Sequence, residues 1–296
     1  MLARVADFAF ADAFCALPAR DERGNKGTFG TLTAVCGSVP YRGAAVLAVS
    51  AALRCGVGIV RLAAPECVVA ACAAQVCECI FLPLPDCPDG LPLPGQALEA
   101  MERAAAGSTA LLLGCGLGNS ARTRSIVEWA AEHTEGIPVL LDADALNCMQ
   151  GDIKPLEKLG ARATITPHVG EFSRLTGLGI GEIKENPAGS ASEFASRLGC
   201  TVVLKDFVTH IASPDGEVLR CGAPNSGLAK GGSGDVLAGI TASLLAQGVP
   251  PKLAAAAGCA LHAEAARRAS ERLTRRAMLP SDIIAELPGV FAAEVM

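Results

Sequence analysis

Aromatic side chains are scarce in this chain, and basic ones are in deficit. Phe, Trp and Tyr together make up 4% of the 296 residues, with one Trp, one Tyr and nine Phe. Lys and Arg number 25 against 30 Asp and Glu, a formal net charge of -5. Nucleic-acid surfaces need clustered cations and stacking aromatics, so that class of partner is set aside. Long apolar runs are also missing: the stretch 43–53 is among the longest and is followed at once by Arg54. A membrane-crossing helix needs about 20 apolar residues. The opening Met1-Leu2-Ala3-Arg4-Val5-Ala6-Asp7 places an acid where the apolar centre of a signal peptide would run. A soluble, cytoplasmic protein is expected, with no membrane partner.

Cysteine, by contrast, is plentiful. Of thirteen, Cys67, Cys72, Cys77, Cys79 and Cys87 crowd one segment, which raises the question of zinc. Ligand spacing is poor, because no Cys-x-x-Cys pair and no histidine falls among them. An odd total also suits a disulfide framework badly. Free cysteine behaves as a small buried hydrophobe, so core thiols in a reducing compartment are expected. Hydrophobic residues supply 51% of the chain, and a chain near this length buries about three quarters of its unfolded surface. One domain, 1–296, with a sizeable core follows.

Short β-like runs alternate with Ala-rich helical ones, the pattern of a mostly parallel sheet with helices on both faces. Strands are expected at 31–36, 58–62, 110–113, 138–142, 164–165, 201–204, 209–212 and 217–220. Helices are expected at 44–55, 96–106, 123–133, 170–176, 188–198, 235–247, 252–269 and 281–286. Ser213-Pro214-Asp215-Gly216 is a hairpin turn with a mechanism, since Pro and Gly set the required dihedrals. Residues 82–95, rich in Pro and Gly, read as a surface loop.

The segment with most to say is Asn225-Ser226-Gly227-Leu228-Ala229-Lys230-Gly231-Gly232-Ser233-Gly234-Asp235, which runs straight into apolar residues. Glycines cost about 1 kcal/mol each inside a helix, so they mark a loop whose bare backbone approaches something. A helix N-terminus with unpaired N–H groups is an anion site suited to phosphate. Asp235 then stands beside the anion, where a base for a phosphoryl acceptor would be. A plain capped turn would use the same residue types. The loop is not a P-loop, because no Gly-Lys-Ser/Thr follows at the required spacing.

Ligands of open α/β sheets bind beyond the carboxyl ends of the strands, and the residues expected there are polar or glycine-rich. Gly114-Cys115-Gly116-Leu117-Gly118, Asp142-Ala143-Asp144-Ala145-Leu146-Asn147, Thr166-Pro167-His168-Val169-Gly170-Glu171 and Lys205-Asp206-Phe207-Val208-Thr209 each follow a strand. Taken singly, they also read as turns and helix caps. Together with the glycine loop they gather at one rim.

This ordered set, with Lys26-Gly27-Thr28-Phe29-Gly30, Tyr41-Arg42-Gly43-Ala44-Ala45 and the run 52–58, resembles the ribokinase-like ADP/ATP-dependent NAD(P)H-hydrate dehydratases. These form the carbohydrate-kinase-related half of the bifunctional nicotinamide-nucleotide repair proteins. The likeness runs from Lys26 to about Leu287, and Asp-Ala-Asp-Ala-Leu-Asn followed by Thr-Pro-His-x-Gly-Glu is its most specific part.

The resemblance implies a three-layer αβα sandwich with a mostly parallel central sheet. It implies a hydro-lyase that phosphorylates the ring hydroxyl of the S-form of NADH or NADPH hydrate and expels phosphate. Asp235 would be the base. Ala44 or Ala45, Gly116, His168 and Asp235 would meet the hydrated dinucleotide. Lys205, Asp206, Phe207, Val208, Thr209, Gly231, Gly232, Ser233 and Gly234 would hold ADP or ATP. Asn147 and Glu171 would orient Mg²⁺, directly or through water. A homo-oligomer is expected, a tetramer among the forms, with the Ala-rich helices 44–55 and 252–269 as packing faces. About twenty-five residues precede Lys26, too few for the companion epimerase domain, so a separate epimerase would act on the same metabolite.

Three residues depart from the family's pattern. Asp206 stands where glycine usually follows the nucleotide lysine, and should face ribose or solvent. Cys36 replaces a glycine and Cys115 a frequent proline. A helix-start carboxylate such as Asp235 is expected to be a weak base. Two rival readings share the residues: a small-molecule kinase for a vitamin-precursor alcohol, and a non-catalytic nucleotide-binding protein.

Overall fold

Strand segments that are apolar without a break must be covered on both faces, and such segments build the centre of this molecule. The computed structural model describes residues 4–85, 94–222 and 224–294. The first part of the chain gives β1 (Arg4–Phe8), α1 (Phe10–Ala16), β2 (Thr31–Val35), α2 (Arg42–Arg54), β3 (Ile59–Pro65), α3 (Glu66–Ala73) and β4 (Ile80–Leu84). Next come α4 (Gly95–Ala105), β5 (Ala110–Leu113), α5 (Ala121–His133), β6 (Val139–Leu141), α6 (Asp144–Asn147) and α7 (Lys154–Leu159). They are followed by β7 (Ala163–Ile165), α8 (Val169–Thr176), α9 (Ile180–Glu185), α10 (Pro187–Leu198) and β8 (Thr201–Leu204). The last part gives β9 (Thr209–Ala212), β10 (Glu217–Cys221), α11 (Ser233–Ala246), α12 (Pro251–Ala277) and α13 (Pro280–Phe291).

The strands form one sheet in the order β1-β10-β9-β8-β7-β6-β5-β2-β3-β4. All pairings are parallel except those of β9, which is antiparallel to β8 and β10. Period-two alternation sends Leu111 and Leu113 into one core and Ala110 and Leu112 into the other, all four at 0% exposure. Helices α4 to α10 cover the first of these faces, and α1 to α3 with α11 to α13 the second. The result is the expected αβα sandwich.

The glycines and alanines of α11 are explained by its depth. From Val236 to Ala246 every residue is buried, and a Cβ on Gly239 would collide with the Ala48 carbonyl of α2. One on Gly258 of α12 would collide with Thr241. Burying Val236, Ile240, Leu244 and Leu245 contributes about 1.5–3 kcal/mol each, and Gly239→Ala would force the two helices apart.

The edges differ from the sequence reading. Strand β1 is exposed along its length, and β4 carries Pro83, which edge strands tolerate because one side of their backbone is unpaired. β1 therefore lacks the apolar run that marks a strand, and the proline interrupts that of β4. The expected loop 82–95 begins later than read, since β4 continues to Leu84, and 86–93 lie outside the described residues. The helices α1, α3, α7 and α9 are short and were not read. The hairpin at Ser213–Gly216 is present, with the Ser213 N–H donating to the Glu217 carbonyl at 3.1 Å.

In the cysteine-rich segment Cys72 and Cys79 are buried, Cys67 is partly covered and Cys77 is exposed, while Cys87 lies outside the described residues. Burial pushes Cys72 to about 11 and Cys79 to about 12. The core-thiol expectation therefore fails at Cys77, and at exposed Cys15 too. The alanines of α2 and α12, expected at subunit contacts, are spent inside the chain against α11, α13 and α1.

Candidate active site

Beyond the carboxyl end of β6 the chain turns Asp142 inward, leaving it 2% exposed. Its Oδ1 accepts from Thr166 Oγ1 at 2.7 Å and from Lys205 Nζ at 2.9 Å. Lys205 continues β8 by one bridge, opposite His168, and its N–H donates to the Pro167 carbonyl at 2.8 Å. Burial pulls its pKa down, but the charges of Asp142 and Glu171 outweigh that and hold it above the usual lysine value. Next to Asp142, Ala143 has φ 50 and ψ -113, a strained conformation for a residue with a Cβ. Its carbonyl accepts the N–H groups of Leu146 and Asn147, both at 3.0 Å, and holds the turn in place.

Facing this group is the first turn of α11. Gly232 caps it at φ 100, a value that glycine adopts without cost. The Ser233 N–H donates to the Lys230 carbonyl and the Val236 N–H to the Gly232 carbonyl, each at 3.2 Å. The N–H groups of Gly234 and Asp235 have no partner among the described residues, as the first turn of a helix allows. The charge-holding N–H set is thus centred on Gly234 and Asp235; Ser233, expected to contribute its own, has committed it. Lys230 is turned away, its Nζ donating to the carbonyls of Arg276 at 2.8 Å and Met278 at 2.6 Å.

Asp235 lies where two demands meet. Its carboxylate, that of Asp142 and the Cys115 thiol place one ligand-type atom each within 4.8 Å of one another. Burial raises the Asp235 pKa from 3.8 to about 6, the Asp142 charge adds to the rise, and the Cys115 thiol and Lys205 oppose it. The expectation of a weak base is corrected here: burial and a neighbouring carboxylate outweigh the helix end. The two departures Cys36 and Cys115 are fully buried. Contact with Cys36, burial and the nearby carboxylates together push the Cys115 thiol well above its ordinary pKa.

On the side assigned to the dinucleotide, Gly116 meets α2. A Cβ there would lie 2.7 Å from those of Ala44 and Tyr41, so the glycine loop and the α2 start close on each other. Ala44 is partly exposed at this seam, whereas Ala45 has its methyl in the core at 0% exposure. Tyr41 is 55% exposed. His168 caps α8: its Nδ1 accepts from the Gly170 N–H at 3.0 Å and the Glu171 N–H at 3.3 Å. An accepting Nδ1 leaves the neutral ring's proton on Nε2, which stands at the exposed rim. Glu171 returns the cap, its Oε2 accepting the His168 N–H at 2.9 Å.

Asn147 is engaged elsewhere. Its Oδ1 accepts from Arg174 Nε at 3.1 Å and Nη2 at 2.9 Å. In the nucleotide strand Asp206 and Phe207 are exposed, Phe207 at 71%, with Val208 and Thr209 partly covered. Asp206 accepts its neighbour's N–H at 2.9 Å and points to solvent. Gly231 is exposed with open space around it. Residues the sequence reading did not pick out are Asp142 as the partner of Lys205, Thr166 behind it, and Arg174. Their one signal was position, at the ends of adjacent strands or one turn into the helix that follows.

Comparison with known proteins agrees with this geometry. A family model described as NAD(P)H-hydrate dehydratase matches residues 32–289. An ADP-dependent (S)-NAD(P)H-hydrate dehydratase of Neisseria meningitidis is 39% identical over 251 residues, covering 84% of this chain and 80% of that protein. The bifunctional NAD(P)H-hydrate repair enzyme Nnr of Moorella thermoacetica is 37% identical over 93% of this chain, which spans 51% of that protein's length. The chain thus spans about half the length of such bifunctional relatives. A crystal structure of the Bacillus subtilis ADP/ATP-dependent NAD(P)H-hydrate dehydratase, grown with ATP and Mg²⁺, superposes with a TM-score of 0.81 at 28% identity, covering 99% of each chain. No helix among the described residues is long and apolar enough to cross a membrane. The cradle at α11, the buried pair behind it and the match over most of the length lead to one conclusion: the chain belongs to the NAD(P)H-hydrate dehydratase family, on a ribokinase-like fold.

Proposed function

We propose that the protein restores NADH or NADPH from the S-form of its hydrate, using the phosphoanhydride of an adenine nucleotide. The observation that carries this reading is Asp235, a carboxylate raised to about 6 beside two free helix N–H groups and the Lys205 ammonium. Hydroxide is a poor leaving group, and phosphate is a good one. Asp235 takes the proton of the ring hydroxyl as that oxygen attacks the terminal phosphoryl group. The N–H groups of Gly234 and Asp235, the α11 dipole and Lys205 face the charge on the transferring group. Expulsion of phosphate, with loss of a proton from the neighbouring ring carbon, then gives the dihydropyridine.

The hydrated dinucleotide occupies the seam of Ala44, Gly116 and Tyr41, with His168 Nε2–H at its rim. The adenine nucleotide lies along Lys205 to Thr209, where exposed Phe207 offers an apolar face. ADP is the donor named for the relative of N. meningitidis, and ADP is our choice over ATP. Mg²⁺, when bound, would neutralise part of the charge on the phosphates. Glu171, a hard oxygen ligand with one oxygen not used by the cap, fits contact through water. Asn147 does not fit, because Arg174 already occupies its carbonyl oxygen. The cytoplasm supplies both substrates.

The test is the near-ultraviolet absorbance of reduced nicotinamide on mixing hydrated NADH, Mg²⁺ and ADP or ATP with the protein. A rise that requires nucleotide and disappears in Asp235→Asn supports the reading. A protein that binds nucleotide but gives no rise is instead a kinase candidate, and vitamin-precursor alcohols are then the substrates to screen.

A further inference from the structure

Between the base and its neighbouring acid stands a thiol. Cys115 follows β5 directly after Gly114, which has φ 122. A Cβ on Gly114 would collide with the Asp142 carbonyl, so a bare backbone lets this turn close on the end of β6. The Gly37 N–H donates to the Cys115 carbonyl at 2.8 Å and ties the turn to the chain just past β2. The Cys115 side chain is thereby directed into the site, at 0% exposure. Its Sγ lies 4.0 Å from Asp142 Oδ2, and the sulfur and one oxygen of each carboxylate lie within 4.8 Å of one another.

Two carboxylates this close and this deep repel, and repulsion favours a proton on one of them. A protonated Asp235 cannot accept the proton of a hydroxyl. The other donors of the site face away from the problem. Lys205 and Thr166 both donate to Oδ1 of Asp142, and Asp144 adds a further negative charge. Among the described residues, the donor at Asp142 Oδ2 is the Cys115 thiol. Contact with Cys36, burial and the two carboxylates push that thiol well above its ordinary pKa, so it stays S–H and brings no third charge. Cys36 directs its own proton elsewhere, its Sγ donating to the Leu112 carbonyl at 4.0 Å. An S–H group is a weak donor, but between two anions in a site of low dielectric its effect is enlarged. Contact with the thiol draws the Asp235 pKa down, against the larger pull of burial and Asp142.

We propose that Cys115 is a positioning residue for the reaction: its S–H lies between the Asp142 and Asp235 carboxylates and keeps Asp235 available as the base. The inference rests on Asp235 being the base of the proposed function. The thiol itself neither takes nor gives a proton.

The experiment follows Asp235 directly, by NMR titration of its labelled carboxyl carbon in the ligand-free full chain, with the signal assigned by its loss in Asp235→Asn. It compares the wild type with Cys115→Ala and Cys115→Ser, which remove similar volumes while Ser alone keeps a donor. In Cys115→Ala the Asp235 midpoint should rise by about 0.5–1 pH unit, the loss of one weak hydrogen bond to a charge. Cys115→Ser should recover part of that shift. The acid limb of kcat/KM should move by the same amount, whereas KM for ADP should change little. If Cys115→Ala does not fold, infrared difference spectra of the wild type decide in its place. The Cys115 S–H stretch, identified by its loss in Cys115→Ser, should move to lower frequency as Asp235 ionises.

An unmoved Asp235 midpoint in Cys115→Ala, or an S–H stretch indifferent to pH, would overturn the proposal. Equal shifts in the Ala and Ser variants would overturn it too, in favour of volume alone. A wild type that restores no dihydropyridine, while its Asp235 midpoint responds to Cys115→Ala, would sink the proposed function and leave the thiol contact standing.

Discussion

Lys205 Nζ and Asp142 Oδ1 are 2.9 Å apart, with side chains 19% and 3% exposed, and the pair forms the floor of the cradle. Each charge is tolerated at that depth because of the other. Removing one partner of a buried pair costs roughly 3–5 kcal/mol, whereas removing both charges is often nearly neutral. Lys205→Met should therefore lower unfolding stability in urea by about 3 kcal/mol. Lys205→Met with Asp142→Asn should return to within about 1 kcal/mol of wild type, since Thr166 still donates to the amide oxygen. Both should lose nucleotide binding. Additive losses in the double variant would mean that the pair is not coupled as its geometry requires.

The raised carboxyl of Asp235 has a defined pH signature. Its pKa moves from 3.8 to about 6 on folding, so between those values the folded chain holds a proton that the unfolded chain has released. Stability from this group is greatest below the unfolded value and declines as pH rises through the folded one. Asp235→Asn should remove that slope and make the ligand-free protein roughly 1–2 kcal/mol more stable at neutral pH. The wild-type kcat/KM should fall about tenfold per pH unit below about 6, as the base becomes protonated. Asp235→Asn should retain nucleotide affinity and lose a factor of about 10² to 10⁴ in turnover. A flat acid limb in the wild-type pH profile would remove Asp235 as the base.

Two glycines of the loop, on either side of Ser233, should respond in opposite ways. A Cβ at Gly234 would sit 3.5 Å from Lys205 Nζ and 3.7 Å from Asp142 Oδ2, ordinary contact distances in a helical position. Gly234→Ala should fold as well as wild type or slightly better. Its methyl, however, fills the place of a phosphate oxygen, so ADP affinity should drop at least about tenfold. Gly232 has φ 100, and its Cβ would press 2.6 Å from Leu47 Cδ1 and 3.2 Å from Pro280 Cγ. Gly232→Ala should cost roughly 1–3 kcal/mol of stability. Thermal melts and ADP titrations on the same samples separate the two effects; a destabilised Gly234→Ala that still binds ADP would contradict the cradle.

How much of this was legible beforehand depended on whether the signal was local. Strands β5, β8 and β9 match their expected bounds at both ends: the first two are short apolar runs, and β9 leads into the Pro-Asp-Gly turn. The start of α11 was read within two residues, because Gly-Gly-Ser-Gly-Asp announces it. Strands β1 and β4 were not read: at the edges of the sheet one strand is open to solvent and the other carries a proline. The Asp142–Lys205 pair joins residues 63 apart in sequence, so it depends on β6, β7 and β8 lying side by side. The base strength of Asp235 was misjudged for the same reason, since the opposing burial comes from other segments.

His168 carries two duties that one substitution can separate. Its Nδ1 accepts the Gly170 and Glu171 N–H groups, a capping role worth about 1 kcal/mol. Its Nε2 lies 3.6 Å from Glu171 Oε1, on a side chain that is about half exposed, and is the atom proposed to meet the dinucleotide. His168→Ala removes both, and should lower stability by about 1 kcal/mol and raise KM for the hydrated dinucleotide roughly tenfold. Asparagine caps helices well but does not reach the rim. His168→Asn should therefore melt within about 0.5 kcal/mol of wild type while keeping the raised KM, with kcat little changed and ADP affinity intact. If His168→Asn instead shows the wild-type KM, the imidazole serves α8 alone, and the hydrated dinucleotide must be held by Gly116, Ala44 and Tyr41 without it.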